Sequence, residues 1–154
     1  MSSEQLHAVL VALEGDTLLL PNSAVLEVVS REAIEPIPSA PPWLLGQVAW
    51  SGLPVPVIRL EGLNGEDAVT DGRRARIVVL QSLGQRWPMA RFAVLAQGYP
   101  HLVTLNRAAM APMKLRDTDR PDLVLARVRI ASQETWVPDL ETVEAQLARA
   151  LPGV

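Results

Sequence analysis

Apolar residues along this chain alternate with polar ones or gather in short blocks, and Gly, Pro and Asn separate the blocks. A period of two describes half-buried strands, and short apolar runs bounded by turn residues describe buried ones. On that pattern Leu6 to Leu13 is a strand, and Gly15-Asp16 turns it back into a second, Thr17 to Leu20. Asn22 is placed to cap a short helical turn through Ser23, Ala24, Val25 and Leu26. Arg31 to Ile37 follows as an edge strand, because Pro36 and Pro38 remove donors that pairing on both sides needs. After the stiff connector SAPPWLLG comes Gly46 to Leu60, two apolar strands around a Ser51-Gly52 turn. Pro54 and Pro56 are two apart, so both face one side, which predicts an edge position for that strand.

Residues 61 to 74 are polar and rich in Gly and Asp, the best candidate boundary between two halves. Strands resume at Ala75 to Leu83 and Trp87 to Leu95, joined by Gly84-Gln85, with a further extended piece at Leu102 to Leu105. Asn106 to Met110 reads as a short capped turn, and Lys114 to Asp122 as a solvated loop. The last strands are Leu123 to Ala131 and Glu134 to Val137. From Asp139 the period changes. Leu140, Val143 and Leu147 fall three and four apart, which predicts an amphipathic helix with Asp139 as its N-cap and Pro152-Gly153 beyond its end. A weak internal repeat lays residues 46 to 61 on 126 to 141: Val48 meets Val128, Val57 meets Val137, and Leu60-Glu61 meets Leu140-Glu141. Repeats of this kind mean one structural unit used twice. With the loop at 61 to 74 they predict two small β-barrels side by side.

Composition narrows the chemistry. A chain of 154 residues can bury about 70% of its unfolded surface, so it needs no disulfide or metal to fold. It has no cysteine, which excludes a disulfide framework, thiolate metal sites and cysteine nucleophiles. Against 14 Lys and Arg stand 17 Asp and Glu, a net charge of -3. The Arg73-Arg74 pair follows Glu66, Asp67 and Asp71, so no basic stripe develops and nucleic acid is not an expected partner. The N-terminal stretch lacks a basic n-region and a long apolar run, so it reads as a strand rather than a signal peptide or membrane span.

No catalytic, metal or cofactor constellation emerges. His7 and His101 are too far apart for helical ligand spacing, and Asp117-Thr118-Asp119 lacks the glycine and glutamate of a calcium loop. Glu66-Asp67 lies in the polar linker, where solvent leaves carboxylates ordinary. There is no G-x-S-x-G elbow, and no glycine-rich phosphate loop. What remains is apolar surface and four tryptophans, Trp43, Trp50, Trp87 and Trp136. Such rings serve as core plugs or as interface anchors. Trp50, beside a tight turn, is the candidate anchor. A small-barrel ligand or nucleic-acid binder, using aromatic platforms, and a cryptic hydrolase stay open as alternatives.

The segment IEPIPSAPPWLLGQVAWSGLPVPVIRLEGL, residues 34 to 63, resembles the CheW-like family. The family shows a proline-bearing strand, a Pro-aromatic-apolar-Gly connector, a Gly-Val-x-Asn-x-Arg-Gly turn and a Val-Pro-Val-Ile-Asp-Leu strand. GDTLLLPNSAVLEVV, ARIVVL, RFAVLAQGYPHLVTLN and LARVRIASQETWVPDLETVEAQL follow the family's order, so the likeness spans residues 6 to 148. Departures are specific: Ser51 stands for the turn arginine, Ala49 for its asparagine and Arg59 for the strand Asp, and Ala96-Gln97-Gly98-Tyr99 replaces V-D-x-V. Within the family the chain is similar to accessory coupling proteins of type IV pilus (twitching) chemosensory systems.

The resemblance implies an all-β fold: two intertwined five-stranded SH3-like β-barrels with short helical turns and a C-terminal helix. It implies a single domain over 1–154, split near 61–74, with the terminal segments crossing between barrels. It also implies a cytoplasmic, non-enzymatic adaptor without cofactor. The partners would be the regulatory domain of a CheA-type histidine kinase, the tip of a methyl-accepting chemoreceptor and sibling CheW-like proteins, with no nucleic acid and no membrane insertion. Matched positions put Val25, Leu26, Glu27 and Val28 at the receptor-facing element and Trp50, Ser51 and Gly52 at the neighbouring turn. Selectivity would come from rim charges such as Glu27 and Arg59.

Overall fold

The computed structural model describes residues 5–13, 15–30, 34–64, 75–81 and 91–151. Its strands are β1 (Leu6–Leu13), β2 (Asp16–Pro21), β3 (Val25–Ser30), β4 (Leu44–Trp50), β5 (Leu53–Ile58), β6 (Arg76–Gln81), β7 (Arg91–Ala96), β8 (His101–Leu105), β9 (Met110–Met113), β10 (Val124–Ile130) and β11 (Gln133–Pro138). Two helices, α1 (Leu60–Leu63) and α2 (Leu140–Ala150), follow β5 and β11. The strands form two barrel-like sheets. One, in the order β8-β1-β2-β11-β10-β9, combines the first hairpin with the C-terminal strands; the other, β3-β6-β7-β5-β4, holds the middle of the chain. Pairing is antiparallel except between β2 and β11 and between β5 and β7.

Alternation along the strands sorts side chains between three apolar clusters. In β6, Val78 and Leu80 enter a shared core between the sheets, while Ile77 and Val79 fill the middle barrel. In β7, Phe92, Val94 and Ala96 face the shared core, and Ala93 and Leu95 the barrel interior. β1 and β2 divide the same way: Val9, Val11, Leu18 and Leu20 go to the shared core, Ala8 and Leu19 to a smaller terminal-barrel cluster. Such strands are apolar on both faces, which is why they read as continuous runs. Burying both faces is also what joins the barrels, since one set of side chains serves both sheets.

The internal repeat is a structural one. β4, β5 and α1 begin at 44, 53 and 60; β10, β11 and α2 begin at 124, 133 and 140. Each hairpin has its register shift at the same place, between Leu44 and Gly46 and between Val124 and Ala126. The turns match too, with φ of 52 at Ser51 and 55 at Ala131. Each unit then lays its second strand parallel to the return strand of another hairpin. Asp139 caps α2 by accepting from the Glu141 and Thr142 amides at 3.1 and 3.3 Å, and Asn106 caps its 3-10 turn from the Ala109 amide at 3.0 Å.

Several sequence expectations need correction. Asn22 makes no side-chain cap; the turn is a 3-10 turn over Asn22–Ala24, and Val25 and Leu26 already belong to β3. β5 is an interior strand between β7 and β4, not an edge. Its prolines are tolerated because the registered pairing with β7 starts only at Val57, beyond Pro54 and Pro56. The described part of 31–37 makes one bridge, Glu35 to Gln47. The terminal sheet has six strands instead of five, because β9 adds to β10. The polar stretch from 61 begins as buried α1, with Leu60, Glu61 and Leu63 all inside. Trp87, Gly84-Gln85 and residues 65–74 lie outside the described residues.

The loop before β10 is not solvated throughout. Arg127, 1% exposed, donates through Nε and Nη2 to the two Asp119 oxygens at 2.6 and 2.7 Å. It also reaches Asp16 in the first hairpin at 3.2 and 3.4 Å. Asn64, just past α1, donates to Asp119 at 3.1 Å and accepts from the Arg120 amide at 2.8 Å. The Arg127 hydrogen bonds hold the Asp119 carboxyl well below its ordinary value of 3.8, against the opposing effect of burial. Asp119 and Asn64 thereby tie the end of the middle barrel to the terminal one.

Candidate functional site

The residues singled out for docking lie on β3 and at the β4–β5 turn, which stand at opposite ends of the middle sheet's strand order. The closing of the barrel brings them together. Trp50 donates from Nε1 to Glu27 Oε2 at 2.7 Å. The Arg91 guanidinium carbon lies 4.9 Å from the Trp50 ring centroid, a cation–π contact.

Local geometry explains this meeting. The β3–β6 register slips between Val25 and Glu27, so Leu26 is the extra residue of a bulge. Bulges re-aim side chains, and here Leu26 turns outward, 40% exposed. Ser51 and Gly52 both have positive φ, 52 and 78, the geometry of a two-residue hairpin turn. That turn delivers Trp50 to the end of the barrel, half-buried against the Val48, Val55 and Val57 cluster. The seven candidates therefore separate. Leu26, Glu27, Ser51 and Gly52 are exposed; Val25 and Val28 are half-buried and pack on the shared core. Leu53, 44% exposed and paired with Trp50 across the turn, adds an exposed leucine to this end of the barrel.

Arg59 does not serve as a rim charge: it is 6% exposed, at the entry to α1. Trp136 and Trp43 behave as core plugs, Trp136 at 1% exposure and Trp43 packed on the shared core. At the departure from V-D-x-V, the Gln97 amide donates to the Ala12 carbonyl at 2.8 Å, and Tyr99 lies 4.7 Å from the Arg76 guanidinium. Among the described residues no cluster of three or more His, Asp or Glu is arranged to hold a metal ion. No described helix is long and apolar enough to cross a membrane. Away from this surface, a concave face of about 190 Å³, almost wholly apolar, opens in the terminal barrel between Leu6, Leu19, Pro21, Leu105 and Met110.

A model of the CheW-like domain matches residues 7–143, nearly the whole chain. The chain belongs to the CheW-like family. The same fold is found in the crystal structure of the scaffolding protein TtCheW from Thermoanaerobacter tengcongensis, with a TM-score of 0.73 and 20% identity, over 88% of this chain and 90% of that one. At that identity the likeness is one of fold. No curated protein gives a significant sequence match. In this CheW-like chain, Arg91 is a member of the site that sequence reasoning missed. It sits at the start of β7, and only the barrel's curvature places it over Trp50.

Proposed function

We propose that this CheW-like chain is a non-catalytic, cytoplasmic adaptor. It would join the regulatory domain of a CheA-type histidine kinase to the tip of a methyl-accepting chemoreceptor, in a chemosensory pathway of the type IV pilus (twitching) kind, and pair with sibling CheW-like domains. It acts as one domain over 1–154; β5 and β6, on either side of 61–74, both belong to the middle sheet, so the expected split near 61–74 does not separate the two sheets. The observation that carries this reading is the convergence of Leu26, Glu27, Trp50 and Ser51 at one end of the middle barrel, in a chain of this family. Two exposed leucines, Leu26 beside Glu27 and Leu53 paired with Trp50, with the Glu27 carboxylate between these strands, supply the apolar and polar parts of an interface.

The test is a calorimetric titration of the full chain against the regulatory domain of the host's own chemosensory kinase, with and without a receptor-tip fragment. Saturable binding in the micromolar range is expected. Leu26→Asp should weaken it, because Leu26 is exposed in a bulge and its loss leaves the core untouched. No binding to either probe overturns the adaptor reading. Unchanged affinity in Leu26→Asp moves the docking surface elsewhere.

A further inference from the structure

The described ladders of the middle sheet end at β3 on one side and β4 on the other, so no backbone pairing joins these two strands. A bond between side chains spans the seam, the 2.7 Å contact from Trp50 Nε1 to Glu27 Oε2. Its position is unusual in two ways. Glu27 follows the Leu26 bulge, where the β3 ladder is interrupted and the strand is least constrained by its neighbour β6. Ser51, beside Trp50, carries only a hydroxyl at the position where the family resemblance expects an arginine. A hydroxyl is too short to cross a barrel seam. An indole carries its N–H at the far edge of a rigid plate, and Arg91 stacks on that plate at 4.9 Å.

We propose that Trp50 is a positioning residue: its indole N–H clips Glu27 across the seam and holds the Leu26 bulge in its outward, docking conformation. This deepens the adaptor reading, and rests on it only for the partner that meets the surface. A neutral N–H facing a carboxylate is a charge-assisted hydrogen bond whose donor carries no charge of its own.

A double-mutant cycle of Trp50→Phe and Glu27→Ala tests it, read first in the free protein by amide hydrogen exchange over Val25 to Val29. Phenylalanine keeps an aromatic ring at the end of the barrel and a face for Arg91, and removes the N–H together with part of the indole's area; the double variant separates the two losses, because only the N–H depends on Glu27. Each single change is expected to speed β3 exchange roughly five- to tenfold, the size of a modest charge-assisted hydrogen bond. The double variant should exchange no faster than either single one. Wild-type exchange in Trp50→Phe, or additive effects in the double variant, overturns the proposal. The same variants titrated against the kinase regulatory domain separate the two claims. If the wild-type chain does not bind, the adaptor reading fails while the exchange data still decide the clip.

Discussion

Asp119→Ala is the change the fold should tolerate least among its charged residues. The side chain is fully buried, and its two oxygens accept from Arg127 Nε and Nη2, Asn64 Nδ2 and the Arg116 amide at 2.6, 2.7, 3.1 and 2.8 Å. Truncation takes the acceptor from all four N–H groups, two of them on the buried Arg127 guanidinium. Breaking a buried ion pair by removing one partner typically costs 3–5 kcal/mol. Asp16 keeps a weaker hold on Arg127 at 3.2 and 3.4 Å, so the low end applies, about 3 kcal/mol. For a chain of this size that lowers the melting temperature by roughly 6–12 °C.

Differential scanning calorimetry near neutral pH measures it. Asp119→Ala with Arg127→Met should recover part of the loss, because the stranded charge is gone and an apolar side chain fills its place. The pH dependence has a definite sign. The folded-state pKa of Asp119 is depressed, chiefly by the Arg127 hydrogen bonds, so its contribution is fully present above the ordinary value of 3.8 and disappears as the pH falls through the folded value. The stability gap between wild type and Asp119→Asn should therefore stay level from about pH 8 to about pH 5 and narrow only below about pH 4. A melting temperature for Asp119→Ala within about 2 °C of wild type would refute the reasoning, since it would mean the cluster is not desolvated enough to matter.

Two further expectations follow from backbone geometry. A methyl group at Gly46 would collide with the Glu35 carbonyl oxygen, and the residue has a φ of 150, so Gly46→Ala should lose about 2 kcal/mol. It should also free the Gln47 amide, which now donates to that oxygen at 2.9 Å, and hydrogen exchange at Gln47 reads this directly. Asp139→Ala removes the acceptor for the Glu141 and Thr142 amides and should lower the urea midpoint by the equivalent of about 1 kcal/mol with the m-value unchanged.

Features set by neighbours in sequence are legible in the chain itself. The two-residue period of β1, the Ser51-Gly52 turn, the Asn106 and Asp139 caps and the helical spacing of α2 depend on contacts within a few residues. Even the repeat is visible, because both copies keep the same spacing of strand, turn, strand and Leu-Glu. Features that depend on distant partners are not. Asp119 reads as solvated because its cation is Arg127, and Arg127's other acceptor, Asp16, is 111 residues away. Arg59 reads as a rim charge, and β5 as an edge, because nothing local reveals that β7 will pair beside β5 or that the shared core will close over α1. The docking candidates show the same division. Their residue types mark β3 and the turn separately, but the bulge at Leu26, the bond from Trp50 to Glu27 and the Arg91 stack arise only when the middle sheet curls its two end strands together. Short-range propensity writes the strands and turns; which faces are buried, and which charges end up paired, is decided by the closure of the sheets.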